Sequence, residues 1–147
     1  MKEENLPYYD LIDLSDPGPA LIDYLHYLSS GLTDLSTLCY EAAAKAGWWT
    51  DLDTGELLHR NRGEIYALMH SELSEAMEGM RKSKRDEHLP QFLSEEVELA
   101  DALIRIFDYA GGYNLRLGEA LIAKLQYNAQ RADHKPENRR QEGGKKF

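Results

Sequence analysis

In the stretch "LMHSELSEAMEGM", residues 68–80, apolar residues recur at helical spacing, yet Glu72 and Glu75 lie close to the middle of the apolar face. The helix that contains it is predicted from about Arg62 to Arg81. Upstream, "ALIDYLHYLSS" predicts a short helix ending at Gly31, and Thr33 or Asp34 can cap another running to about Ala46, with Gly47 as its stop. A further helix is predicted from about Leu93 to Ala110, stopped by Gly111-Gly112, and a last one from about Leu115 to Arg131. Between them, "WWTDLDTGELLHRNRG" carries turn signals and "KSKRDEHLPQ" is a polar connector containing Pro90. No segment reads as a strand. The pattern predicts an all-α, four-helix-bundle-like fold. An irregular N-terminal arm with a possible short helix covers residues 1–30, a helical domain covers 31–134, and a basic polar tail, extended or mobile, covers 135–147.

Helical phase decides which polar groups point inward. At about 100° per residue, Ile65, Leu68, Ala76 and Gly79 fall within about 40° of Glu72, and Glu75 sits about 60° to one side. Met69, Leu73 and Met80 widen the apolar face on the other side, and Glu78 points away. In "SEEVELADALIRIFDYAGG" apolar residues cover most of the circumference. The remaining sector holds Glu98, Asp101, Arg105 and Asp108 within roughly 80°. A helix apolar nearly all round is expected to be central and buried. On the last helix Lys124, Asn128 and Arg131 share a face with Leu117 and Leu121.

Composition and charge narrow the function. At 147 residues the chain fits one domain, and its hydrophobic (42%) and charged (29%) fractions are ordinary for a globular protein. No secretory h-region and no apolar run near the roughly 20 residues of a membrane span is present, so a cytoplasmic protein is expected. Cys39 stands alone in "LSTLCYEAAAKAG", which excludes a disulfide framework and fits a small buried hydrophobe better than a catalytic thiol. Residues 131–147 hold six Lys/Arg against three Asp/Glu, leaving −12 for the remainder of a chain whose net charge is −9. Such a body repels polyanions, so no nucleic-acid polymer is expected as partner, and a phosphorylated small molecule needs cations to mediate its binding.

An isolated buried carboxylate is costly and becomes neutral, pairs, or binds metal. Four facing one another (Glu72, Glu75, Glu98, Asp101) repel and raise each other's pKa. Arg105 can neutralise one, Asp108 or Asp101 being the candidates, and a hard divalent cation such as Mg²⁺ or Mn²⁺ suits the rest. Glu72 and Glu75 taken alone fit a solvated helix face equally well. Arg105 and Asp108 fit a structural ion pair better than a catalytic one.

Glu72-x-x-Glu75, a spacer of 22 residues, then Glu98-x-x-Asp101 resembles the signature of the MazG-like, all-α nucleoside triphosphate pyrophosphohydrolases, and "KLQYNAQR" resembles that family's following helix. The likeness covers roughly residues 33–134. It implies Mg²⁺-dependent hydrolysis of a nucleoside or deoxynucleoside triphosphate to monophosphate and pyrophosphate by a homodimer or homotetramer. Glu72, Glu75, Glu98 and Asp101 would be metal ligands, and Glu75 would also position or deprotonate the attacking water. Lys124 would stabilise phosphate charge, with Asn128 and Arg131 as further substrate contacts.

Other residues carry weaker signals. Trp48 and Trp49 fit loop anchors, or one of them stacks on a nucleobase. Asn61 and Arg62, before the acidic helix, fit capping and solvation, or reach a base or phosphate. Glu56-x-x-His59 is a single pair where a di-iron bundle needs two on long helices, and His70 fits a surface or bundle contact. The rival from another class is a non-catalytic helical bundle acting as an interaction or regulatory module.

Overall fold

The computed structural model describes residues 12–145. Among them the chain is all-α, with α1 at Pro19–Lys45, α2 at Arg62–Lys82, α3 at Ser94–Gly112, α4 at Leu117–Gln130 and a short α5 at Pro136–Arg139. A 3₁₀ turn occupies Ala132–His134, and β-pairing among the described residues is limited to the isolated bridges Thr50–Leu57 and Arg85–Leu93. No helix there is long and apolar enough to cross a membrane. Two compact units divide the chain: Thr33–Leu115, and the flanking segments up to Leu32 and from Arg116 onward.

Two glycine readings are corrected. Gly31 does not end a helix; α1 runs through it for 27 residues, and Pro19 opens it at a position where a missing N–H costs nothing. Gly31 keeps an ordinary φ, and one interior glycine costs a helix only about 0.5–1 kcal/mol. Gly47, at φ 87°, does terminate it. Gly111 and Gly112 lie inside the last turn of α3, and the left-handed residue after that helix is Asn114, φ 50°. These glycines serve close approach instead. A Cβ on Gly111 would strike the Ser36 carbonyl of α1, and one on Gly112 would strike the Trp49 ring.

The Thr33–Leu115 unit is organised by the antiparallel pair α2 and α3. Asn61 caps α2, its Oδ1 accepting from Gly63 N at 2.9 Å and its amide donating to Glu64. At the other end Ser83 adopts φ 50° and its N–H donates to Met80 O, reversing the chain. The connector is tied down: Asp86 Oδ1 accepts from His88 N (2.9 Å) and Leu89 N (2.6 Å), and Arg85 donates to Gln91 O (3.2 Å). Gly79 lets α3 begin against α2, since a Cβ there would sit 2.9 Å from Ser94 Oγ. At the far end Ile65, Met69 and Tyr109 form a buried cluster with Ile106 and Tyr113 packed on it. Burial on α2 follows Ile65, Met69, Glu72, Ala76 and Gly79, so Glu72 sits inside the stripe.

α3 differs from its expectation. It is not enclosed all round: Ala102, Phe107, Tyr109 and Ala110 are buried, while Leu99, Leu103 and Ile104 stay 43%, 52% and 49% exposed. Small and aromatic side chains make the close contacts, and the branched ones lie off that line.

In the other unit Leu25, Gly118 and Ile122 are buried, and a Cβ on Gly118 of α4 would meet the Ser29 carbonyl of α1. The expected extended tail is locally folded by Asn138, whose amide donates to Ala132 O at 2.7 Å.

The glycines give a paired prediction. Gly112→Ala should cost about 1–3 kcal/mol through collision with Trp49. Gly31→Ala, which meets nothing within 4 Å, should stabilise the chain by about 0.4–1 kcal/mol. Urea unfolding of both variants checks the two signs together.

Candidate metal centre and the cavity beside it

The α2–α3 seam brings acidic groups together because Glu72 lies one turn from Met69 on the buried stripe and faces the polar sector of α3. Glu72, Glu98 and Asp101 each offer an oxygen within 4.8 Å of the others. Glu72 is buried at 6% exposure, Glu98 is half-buried and Asp101 is exposed, so the group opens from seam to surface. Glu75 is exposed and is not one of the three, although its charge acts on Glu98.

Arg105 does not pair with Asp108 or Asp101 as expected. Its Nε donates to Glu72 Oε1 at 2.5 Å. Asp108 instead accepts from Trp49 Nε1 on Oδ1 at 2.7 Å, and its Oδ2 lies 3.6 Å from Arg60 Nη1. Seven residues separate Asp101 from Asp108, so a single stripe of α3 has two polar ends, each with its own arginine.

The electrostatics are those of crowded anions. Glu98 is pushed above the ordinary carboxylate range by desolvation first, then by Glu75, Asp101, Glu72 and Asp86. Asp101 is raised by desolvation and by Glu72, with Arg105 opposing. Desolvation also raises Asp108, against the hydrogen bond from Trp49 and the charge of Arg60. Asp86 is a contributor that spacing did not reveal; it belongs to neither four-residue motif, and only the folded connector brings its charge to bear.

Beside the acidic group lies a cavity of about 680 Å³. Leu35, Leu38 and Ala42 of α1 form its apolar side, and Asp101 and Arg105 of α3 belong to its lining. Arg60 and Asp108 line it too, as does Trp48, which is 67% exposed. Mostly apolar walls with a few charged groups, in this volume, are what small-molecule sites share. Trp49 has no such opening. It is 6% exposed, edge-on to Tyr40 and Tyr113 at 5.3 and 5.6 Å, and anchors the loop after α1. Asn61 is occupied as the α2 cap.

Lys124, Asn128 and Arg131 belong to the other unit. Lys124 Nζ lies 4.8 Å from the Tyr127 ring centroid, and Asn128 Oδ1 is buried without a hydrogen-bond partner. Arg131 follows α4 and forks onto Asp133, Nε to Oδ1 at 2.8 Å and Nη2 to Oδ2 at 2.5 Å.

Compared with protein-family models, curated proteins and solved structures, the chain finds no match.

The carboxylates fit a hard divalent cation: the donors are all oxygen, three converge, and the one arginine among them, Arg105, is ion-paired with Glu72. A carboxyl with a raised native pKa keeps its proton to higher pH in the folded than in the unfolded state. The stability it contributes is therefore full below the unfolded pKa and is lost as pH rises through the native one. In EDTA at pH 7, Glu98→Gln should melt above wild type, and the gap should close toward the ordinary glutamate value of 4.5. Mg²⁺ should raise the melting temperature of wild type and leave Glu98→Gln nearly unmoved. Equal responses in thermal melts would return these carboxylates to a purely structural role.

Proposed function

We propose that the chain hydrolyses a nucleoside or deoxynucleoside triphosphate to the monophosphate and pyrophosphate, using Mg²⁺ or Mn²⁺ held by Glu72, Glu98 and Asp101. The observation that carries this reading is the convergence of those carboxylates within 4.8 Å, at a largely apolar cavity of about 680 Å³. Such an ion supplies charge neutralisation at phosphate oxygens and lowers the pKa of bound water.

The chain's own residues divide the remaining work. Glu75, exposed and close enough for its charge to act on Glu98, is assigned to accept the proton of the attacking water. The water oxygen forms a bond to phosphorus at the α–β linkage, and the bridging P–O bond breaks to release pyrophosphate. Arg105 holds Glu72 in place and brings positive charge to the cavity wall. Trp48 offers an exposed ring for stacking on a base, a contact that does not depend on base identity. Free nucleotides in the cytoplasm are the setting this reaction calls for. A second copy of the chain is the partner assigned to the apolar surface that Leu99 and Leu103 leave exposed.

Incubation with Mg²⁺ and each common NTP and dNTP, followed by pyrophosphate detection, tests the reading. Turnover of at least one triphosphate is expected. Glu98→Gln and Glu75→Gln should each lower kcat about 100-fold or more without loss of helical circular dichroism. If micromolar enzyme releases no pyrophosphate from any member of the panel, the bundle is a binding or regulatory module.

A further inference from the structure

Arg60 stands in the loop before α2 and has no part in the hydrolysis assigned above. Its guanidinium is held from two sides. It lies 5.0 Å from the Trp49 ring centroid, and its Nη1 is 3.6 Å from Asp108 Oδ2, beyond hydrogen-bond reach. That Nη1 is buried and has no hydrogen-bond partner. Asp108 meets one edge of the planar fork, and because Arg60 also lines the cavity its remaining N–H groups can donate to an acceptor on a bound molecule. Arg60 and Asp108 both line the cavity whose other charged lining residues are Asp101, a member of the acidic group, and Arg105, which pairs with Glu72 of that group.

The spacing along α3 gives the ligand's length. Asp101 and Asp108 are seven residues apart, which is about 10 Å along the axis and only about 20° around it. A molecule with its phosphates at the Asp101 end places its far end beside Arg60, and that reach is the span of a nucleoside. Asp108 already accepts from Trp49 and faces Arg60, so the unmet capacity at this end belongs to a donor. Acceptors are what distinguish one pair of bases from the other: guanine and hypoxanthine carry O6 and uracil and thymine carry O4, where adenine and cytosine carry amino donors.

We propose that Arg60 is a specificity-determining residue that donates to the ring carbonyl of a keto base, selecting uracil- or hypoxanthine-type nucleotides over their amino counterparts. The proposal rests on the reading of this cavity as a nucleotide site, and its test uses nucleosides so that binding is read apart from hydrolysis.

The chain has two tryptophans, so two indole N–H resonances report on the cavity, Trp48 from its lining and Trp49 from beside Arg60 and Asp108. Wild-type protein in EDTA is titrated by NMR with uridine, cytidine, inosine and adenosine. Uridine and inosine should bind about tenfold more tightly than cytidine and adenosine and should move the Trp49 indole signal. Arg60→Met should bring all four within about twofold of one another, and Arg60→Lys, which keeps charge without the planar fork, should retain only part of the preference. Equal wild-type affinities, no shift with any nucleoside, or a preference that survives in Arg60→Met would each overturn the assignment. Should Arg60→Met fail to fold, the wild-type ratios and Arg60→Lys still decide. Pyrophosphate release without base discrimination removes the role of Arg60 alone, whereas nucleoside discrimination without release removes the hydrolase and leaves Arg60 as a reader.

Discussion

Repulsion among carboxylates on the α2–α3 seam is the constraint around which the Thr33–Leu115 unit is arranged. Glu72, Glu98 and Asp101 are gathered with one arginine, Arg105, to offset them, and Asp86 and Glu75 add to the negative field. Nothing in their own energetics favours that proximity. It is imposed by packing on either side: the cluster of Ile65, Met69 and Tyr109 toward one end, and the close start of α3 over Gly79 at the other. Apolar burial is non-directional and scales with area, so it can hold like charges together where no pairwise attraction would. The raised pKa values of Glu98 and Asp101 are the local record of that imposition.

The same helix supports a second polar end by different means. Asp108 is satisfied by Trp49, and Trp49 in turn is boxed by Tyr40, Tyr113 and the Arg60 guanidinium. Gly112 leaves room for that indole ring, and Gly111 allows α3 to meet α1 at Ser36. Ala42 and Ala43 of α1, and Ala46 just after it, are too short to fill the space over α3, and the cavity is what remains. Its charged residues arise from one stripe of α3 and the loop that docks on it, so site and fold share the same side chains.

Much of this was legible residue by residue. The phase of α2 put Glu72 inside the apolar stripe, and there it lies, between buried Met69 and Ala76. The phase of α3 gathered Glu98, Asp101, Arg105 and Asp108 onto one sector, and the last three of these line the cavity. Asn61 ahead of α2 reads as a cap and acts as one. Gly31 simply sits inside α1 with nothing near it, whereas Gly111 and Gly112 show that a glycine marks either a helix end or a close approach, and only the neighbour decides which. The neighbours of Gly111 and Gly112 are Ser36 and Trp49, more than sixty residues earlier in the chain.

Helical periodicity is a property of consecutive residues, so the sequence by itself determined the all-α class, the existence of α2, α3 and α4, and the faces on which their polar groups stand. Pairing is a property of residues distant along the chain. Only the tertiary structure decided that Arg105 takes Glu72, that Asp108 takes Trp49 and faces Arg60, that Asp86 joins the acidic field, and that α1 leaves a cavity against α3. Side chains on one face of a helix can meet any partner the packing presents, and spacing alone carries no record of which partner that is.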